Sequence, residues 1–65
     1  MSIFNNTNAA IRKFHTDAAF RKRVIDAAKK DGVVPKSINP ENLAAILKFI
    51  MELLPYILAL FKKPA

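Results

Sequence analysis

Sixty-five residues suffice for one small domain, and a chain of this length buries only about 60% of the surface that it exposes when unfolded. Cysteine is absent, which excludes disulfides and thiolate metal sites, and His15 is the single histidine, which alone cannot build a zinc site. The formal net charge of +6 favours anionic partners: nucleic acid, lipid headgroups or an acidic protein. Small domains that lack disulfides and a structural metal need another source of stability. We therefore expect oligomerisation, a partner or a membrane.

Charge and hydrophobicity divide the chain into two regions. Residues 1–38 hold eight of the eleven basic residues and three of the five acidic residues, a net charge of +5. Residues 39–65 hold three basic and two acidic residues, a net charge of +1, together with most of the large apolar side chains. We therefore separate a basic helical region with its linker, 1–38, from a hydrophobic C-terminal helix, 39–65.

The pattern from Asn8 to Lys30 is helical, but its apolar residues form two sets that do not share one face. Thr16-Asp17 lies between the two sets and can cap a second helix. One bent helix and a pair of short helices are both compatible with residues 7–31. Gly32 suits the left-handed position that follows a helix, so the helical region is expected to end there.

The second region is predicted to begin after an extended linker that contains Pro35, because proline disfavours helical backbone at the preceding residue. Asn39 suits an N-cap, Pro40 the first helical position and Glu41 the first turn, which predicts a helix over 40–62. Pro55 removes a backbone hydrogen bond and predicts a bend. The predicted fold is all-α: a basic N-terminal helix or helix pair, a proline-containing linker and a long hydrophobic C-terminal helix bent at Pro55.

Only two charged residues, Lys48 and Glu52, interrupt the apolar run from Leu43 to Phe61. At 100° per residue the large apolar side chains cover roughly 200° of the helix, about twice the face of an ordinary surface helix. We expect lipid or neighbouring subunits to bury this face, because one small helix cannot cover it. Its residues are Leu43, Ile46, Leu47, Phe49, Ile50, Met51, Leu53, Leu54, Ile57, Leu58, Leu60 and Phe61.

A narrow stripe completes the circumference of this helix: Ala44, Ala45, Lys48, Glu52, Pro55, Tyr56 and Ala59. Lys48 and Glu52 are spaced i, i+4, which allows them to pair. Nineteen helical residues extend roughly 28 Å, close to the ~30 Å hydrocarbon thickness. Insertion of the apolar side chains into a bilayer contributes about −5 kcal/mol of free energy. Glu52 near the centre of the helix costs about +3 kcal/mol, and Pro55 adds a further penalty. A lipid-buried helix and a helix buried in a soluble homo-oligomer therefore both remain compatible.

Basic residues of the first region are the predicted contacts to an anionic surface. They are Arg12, Lys13, Arg21, Lys22, Arg23, Lys29 and Lys30. The cluster at 21–23 also permits non-specific contact with nucleic-acid phosphates, although no helix-turn-helix or RNA-binding signature is present.

Catalytic chemistry has no support in the residue pattern. His15 and Asp17 are two residues apart and do not face each other on one helix. The chain shows no glycine-rich phosphate loop, no metal-ligand constellation and no nucleophile–base arrangement. We predict no catalytic, cofactor-binding or metal-binding residue, and no cofactor.

The predicted function is that of a small non-enzymatic structural or accessory subunit. Its C-terminal helix would be anchored in a membrane or larger complex, with the basic half on an anionic surface in the cytoplasm or a virion interior. The alternatives are a soluble homo-oligomeric interaction module of the cytoplasm, a small virion- or nucleoid-type nucleic-acid-binding protein, and a leaderless cationic membrane-active peptide.

Overall fold

The computed structural model describes the backbone of residues 3–62 and the side chains of residues 7–62. Within these residues the chain forms four helices and no strand: α1 (Ile3–Thr16), α2 (Ala18–Lys30), α3 (Leu43–Leu47) and α4 (Ile50–Lys62). The all-α prediction is confirmed. The N-terminal region is the helix pair rather than one bent helix, and α1 begins at Ile3, earlier than the predicted 7.

A single residue, Asp17, separates α1 from α2. Its backbone is extended (φ −108°, ψ 103°), and its side chain accepts a hydrogen bond from the Phe20 amide, as an N-cap does. The change of direction at Asp17 allows both apolar sets of the pair to face inward, so that Phe14 and Phe20 are both buried. This is why the apolar pattern could not be placed on one continuous helical face.

α2 ends just before Gly32, where the sequence predicts the end of the helical region. Asp31 is the C-cap, and Gly32 adopts the left-handed conformation (φ +76°) that glycine tolerates without steric cost. The Gly32 amide donates to Lys29 O at 3.0 Å, and the Val33 amide donates to Ala28 O at 2.9 Å. These bonds satisfy carbonyl groups that the last helical turn leaves without partners.

The C-terminal region begins later than predicted. The Asn42 amide donates to Asn39 O at 2.9 Å and closes a turn with Pro40 at its second position, where turns favour proline. Asn42 is the true N-cap, since its side chain accepts from the Ala45 amide, and α3 starts at Leu43. The dipeptide Asn39-Pro40 suits a turn as well as a helix start, so the sequence pattern predicted a helix start at Pro40 where the structure has a turn.

The structure replaces the single long C-terminal helix with two. The Lys48 amide donates to Ala45 O at 3.2 Å and the Phe49 amide to Ile46 O at 2.9 Å, so α3 ends in a tightened i→i+3 turn. The interruption lies at Lys48-Phe49, ahead of Pro55, which sits inside α4. After the interruption, α4 contacts both α1 and α2.

The core forms where α1, α2 and α4 each contact the other two helices. Phe14, Val24, Leu53 and Ile57 lie at its centre with at most 2% of their surface exposed. The linker contributes two further buried residues, Val34 and Ile38. The helix pair and the linker together therefore cover most of the apolar face, which we expected a single small helix to leave exposed.

A ring contact and a hydrogen bond join α4 to α2 and its C-cap. Phe61 packs edge-on against Phe20, with ring centroids 6.5 Å apart and planes at 77°. The Tyr56 hydroxyl donates to Asp31 Oδ2 at 2.7 Å, and this bond to a carboxylate raises the pKa of Tyr56 above its usual value of 10.0. Both ends of the α2–α4 contact are thereby fixed.

Replacement of Leu53 by alanine tests the importance of this core. Leu53 is fully buried, and we expect a loss of about 2–5 kcal/mol in the free energy of unfolding, which leaves little of the stability of a small domain. The matched control is Met51→Ala two residues away, where 72% exposure predicts a change within about 0.5 kcal/mol. Urea unfolding followed by circular dichroism measures both, and equal losses would contradict the burial of Leu53.

Candidate anionic-surface interface

The cations of α2 lie on one side of the helix. At 100° per residue, Lys22, Arg23, Lys29 and Lys30 fall within an arc of about 120°, opposite the buried residues of the same helix. Lys29 is half-buried and the other three are exposed. Asp26 is the one acidic side chain in this arc, and it pairs with Lys22. The outer face of α2 is therefore positively charged along its length.

Arg21 belongs to the fold and not to this face. Only 9% of its surface is exposed. Its Nη1 donates to Phe14 O at 3.0 Å and to His15 O at 2.8 Å, and its Nε donates to Pro40 O at 3.0 Å. The guanidinium thus satisfies carbonyls in the last turn of α1, where a cation also complements the helix dipole.

This buried role of Arg21 corrects its predicted contact with an anionic surface. A signal for the correct placement was present in the sequence. On a helical wheel Arg21 lies on the side of Val24, Ile25 and Ala28, among the residues that become the core, whereas Lys22 and Arg23 lie away from it. Adjacency in the sequence suggested one patch of three cations, but helical geometry separates them.

Two of the predicted contacts are held in exposed ion pairs with a carboxylate four residues later in the chain. Lys13 Nζ lies 3.5 Å from Asp17 Oδ2 and 5.4 Å from the centroid of the Phe20 ring. Lys22 Nζ lies 3.3 Å from Asp26 Oδ2. Exposed i, i+4 pairs contribute only about 0.3–0.5 kcal/mol each, so an external anion can compete for these lysines at small cost.

Four predicted contacts form no ion pair with any residue that the structure describes: Arg12, Arg23, Lys29 and Lys30. We refer to these four side chains as the basic surface. Arg12 is exposed on α1, and the other three are on α2. Their charge is not neutralised within the described part of the fold, so the basic surface is the part of the molecule best suited to bind anions.

The predicted apolar face is divided by the fold into three groups. Ile46, Leu53 and Ile57 are fully buried. Six others are partly buried and pack against the core: Leu43, Phe49, Ile50, Leu58, Leu60 and Phe61. The rest of the face remains outside the core, with Leu47 at 49% and Met51 at 72% exposure and Leu54 half-buried.

We refer to Leu47, Met51, Leu54 and the exposed Pro55 as the outer ridge. Leu47 is the last residue of α3, and the other three belong to α4. The predicted stripe lies beside it, with Ala44, Lys48, Glu52 and Ala59 exposed and with Ala45 and Tyr56 half-buried.

The predicted Lys48–Glu52 pair does not form. Ion pairs between described residues join Lys13 to Asp17 and Lys22 to Asp26, and Lys48–Glu52 is not among them. Lys48 is the C-cap of α3 and Glu52 belongs to the first turn of α4. The helix interruption between them removes the regular i, i+4 geometry that such a pair requires.

Two open grooves accompany the linker. One, of about 410 Å³, lies between the linker and α3 and includes Ile38, Ala45, Lys48 and Phe49 in its lining. The other, of about 320 Å³, lies between the start of α2 and the turn at Pro40. His15 lines neither groove. Within residues 3–62, no three His, Asp or Glu side chains are grouped to hold a metal ion.

None of the helices in residues 3–62 combines the length and the apolar character that crossing a bilayer requires. The chain matches no family model, no curated protein and no solved structure. Its function is therefore inferred from its own surfaces.

Arg21→Leu tests the structural role of the buried guanidinium. The substitution leaves three carbonyls without their donor, and we expect a loss of about 2–4 kcal/mol in the free energy of unfolding. Arg21→Lys also loses stability, because an ammonium group cannot reproduce the planar arrangement of donors. Arg23→Leu, an exposed neighbour with the same charge change, is the control. Urea unfolding that ranks Arg23→Leu below Arg21→Leu would contradict the assignment.

Asp17 gives the junction of α1 and α2 a dependence on pH. The hydrogen bond from the Phe20 amide lowers the pKa of Asp17 below 3.8, with Lys13 contributing in the same direction. The stabilisation is present above the unfolded-state pKa and is lost as pH falls through the lower pKa of the folded state.

We therefore expect the melting temperature of the native protein to decline more steeply than that of Asp17→Asn between about pH 5 and pH 2. Asparagine retains the N-cap without the carboxylate, whereas Asp17→Ala lacks a cap and melts lower at every pH. Thermal unfolding at several pH values measures the three proteins. Parallel curves for the native protein and Asp17→Asn would contradict the role of the carboxylate.

Proposed function

We propose that this protein is a small non-enzymatic structural protein that attaches peripherally to an anionic membrane surface. The basic surface, Arg12, Arg23, Lys29 and Lys30, contacts the lipid phosphates and carboxylates. The observation that carries the proposal is that these four cations have no ion-pair partner among the described residues. The anionic leaflet of a cell membrane is the cytoplasmic one, so the proposed location is its cytoplasmic side.

The magnitude of the attraction is sufficient for reversible attachment. Each Lys or Arg near an anionic bilayer contributes about 1 kcal/mol, so four cations that reach the bilayer together would contribute about 4 kcal/mol, or roughly a thousandfold in partitioning at low salt. Release of Lys13 and Lys22 from their exposed pairs adds to this attraction. Salt weakens it, because the Debye length falls to about 8 Å at physiological ionic strength.

Contact at the headgroup level agrees with the disposition of the apolar residues. Insertion of the whole apolar face into lipid would require Ile46, Leu53 and Ile57 to leave a core in which they are fully buried. Attachment through the basic surface leaves that core intact. The proposal therefore keeps the predicted contact with an anionic surface and assigns the C-terminal helices to the fold and to assembly.

Co-sedimentation with vesicles tests the proposal. We expect binding to vesicles of phosphatidylcholine with about 30% phosphatidylserine at low salt, weak binding to pure phosphatidylcholine, and release as salt rises. Arg23→Gln/Lys30→Gln should bind roughly thirtyfold more weakly, from the loss of about 2 kcal/mol.

The matched control is Lys13→Gln/Lys22→Gln, which lowers the net charge by the same two units but removes the paired lysines. We expect it to lose less than half as much binding energy. Equal losses would mean that net charge alone governs binding. Salt-independent binding to neutral vesicles, or full displacement from anionic vesicles by an equal phosphate concentration of DNA, would overturn the membrane proposal, and the second result would favour nucleic acid.

A further inference from the structure

The outer ridge is an apolar surface on a domain that otherwise buries its large hydrophobic side chains. Leu47 and Met51 are the exposed large hydrophobic residues of the described chain, at 49% and 72%. Leu54 is half-buried, and Pro55 is exposed one turn beyond Met51. Large apolar side chains that stay exposed on a small domain indicate an interaction surface.

The charges beside the ridge specify the kind of partner. Lys48 and Glu52 flank Met51 in the chain, are both exposed, and form no ion pair with each other or with another described residue. A surface that binds a copy of itself across a two-fold axis must be self-complementary. One cation and one anion beside an apolar surface meet that condition when the two-fold axis passes between them, whereas an anionic lipid surface would be repelled by Glu52.

We infer that the outer ridge binds a second copy of this chain in a symmetric dimer. A two-fold axis beside Met51 packs the two α4 helices antiparallel and places Lys48 of each copy next to Glu52 of the other. The apolar ridge residues are then buried between the copies, and both charges gain partners that the monomer does not provide.

The dimer is compatible with the proposed function and does not depend on it. α4 contacts α1 and α2 through its buried side, so its solvent side points away from both helices. Two copies joined along this side keep their α1–α2 layers on the outside, where both basic surfaces remain accessible.

The expected interface is small. A specific contact of about 1,200 Å² in total takes about 600 Å² from each copy, roughly one-eighth of the 4605 Å² surface of the chain. Interfaces of this size belong to the weak class, so dimerisation should be followed from about 10 µM to about 1 mM chain.

Sedimentation equilibrium of the full chain with reversed charges tests the inference. Lys48→Glu and Glu52→Lys each create like-charge contacts across the two-fold axis and should weaken the dimer at least about tenfold. An equimolar mixture of these two variants should restore dimerisation to near the native level, because each copy then carries the charges that the other requires. Only pairing between chains predicts this recovery.

Lys36→Glu is the control, since it makes the same charge change as Lys48→Glu at an exposed linker residue outside the ridge. It should leave the dimer unchanged. All these positions are exposed, and circular dichroism verifies that each variant is folded. A monomer at every concentration, or a mixture that fails to dimerise, would overturn the inference. Retained dimerisation in Arg23→Gln/Lys30→Gln separates this result from the outcome of the vesicle experiment.

Discussion

The guanidinium of Arg21 is the interaction on which the arrangement of this small fold depends. It joins the last turn of α1, the start of α2 and the turn that precedes α3, through bonds to Phe14 O, His15 O and Pro40 O. Each of these segments would otherwise present carbonyl groups to a partly buried environment without donors. A buried cation is costly unless its donors are satisfied. Here three carbonyls satisfy them and fix the path of the chain.

The interruption at Lys48-Phe49 solves the problem posed by the apolar C-terminal region. A wide apolar face on one straight helix demands more covering surface than two short helices offer. Ile46 on α3 and Leu53 and Ile57 on α4 are buried in the same core although they lie on separate helices. The residual apolar surface is confined to the outer ridge, which is small enough for one partner.

Local signals in the sequence predicted the helical class and the termination at Gly32 and allowed for a cap at Asp17, because each depends on residues within one turn. The position of Arg21 and the interruption at Lys48-Phe49 depend on contacts between distant segments. Pro40 accepts from Arg21 nineteen residues earlier, and no local pattern encodes that bond. Asn39-Pro40 was ambiguous for a different reason, since the same dipeptide suits a turn and a helix start. In the candidate interface, helical spacing places Arg21 on the buried side of α2, away from Lys22 and Arg23. The ion pairs that distinguish Lys13 and Lys22 from the basic surface can be identified only from side-chain positions.

The one-residue junction at Asp17 has a consequence for how the length of this protein can vary. Deletion of a residue there would rotate α2 relative to α1. Such a rotation would carry Arg21 out of reach of the α1 carbonyls and move surface lysines toward the core. The linker between α2 and α3 is less restricted at its exposed residues, 35–37 and 39, which are irregular and contribute little to the core, although Val34 and Ile38 are buried. Insertions and deletions in related chains should therefore collect in the linker and be absent from the junction.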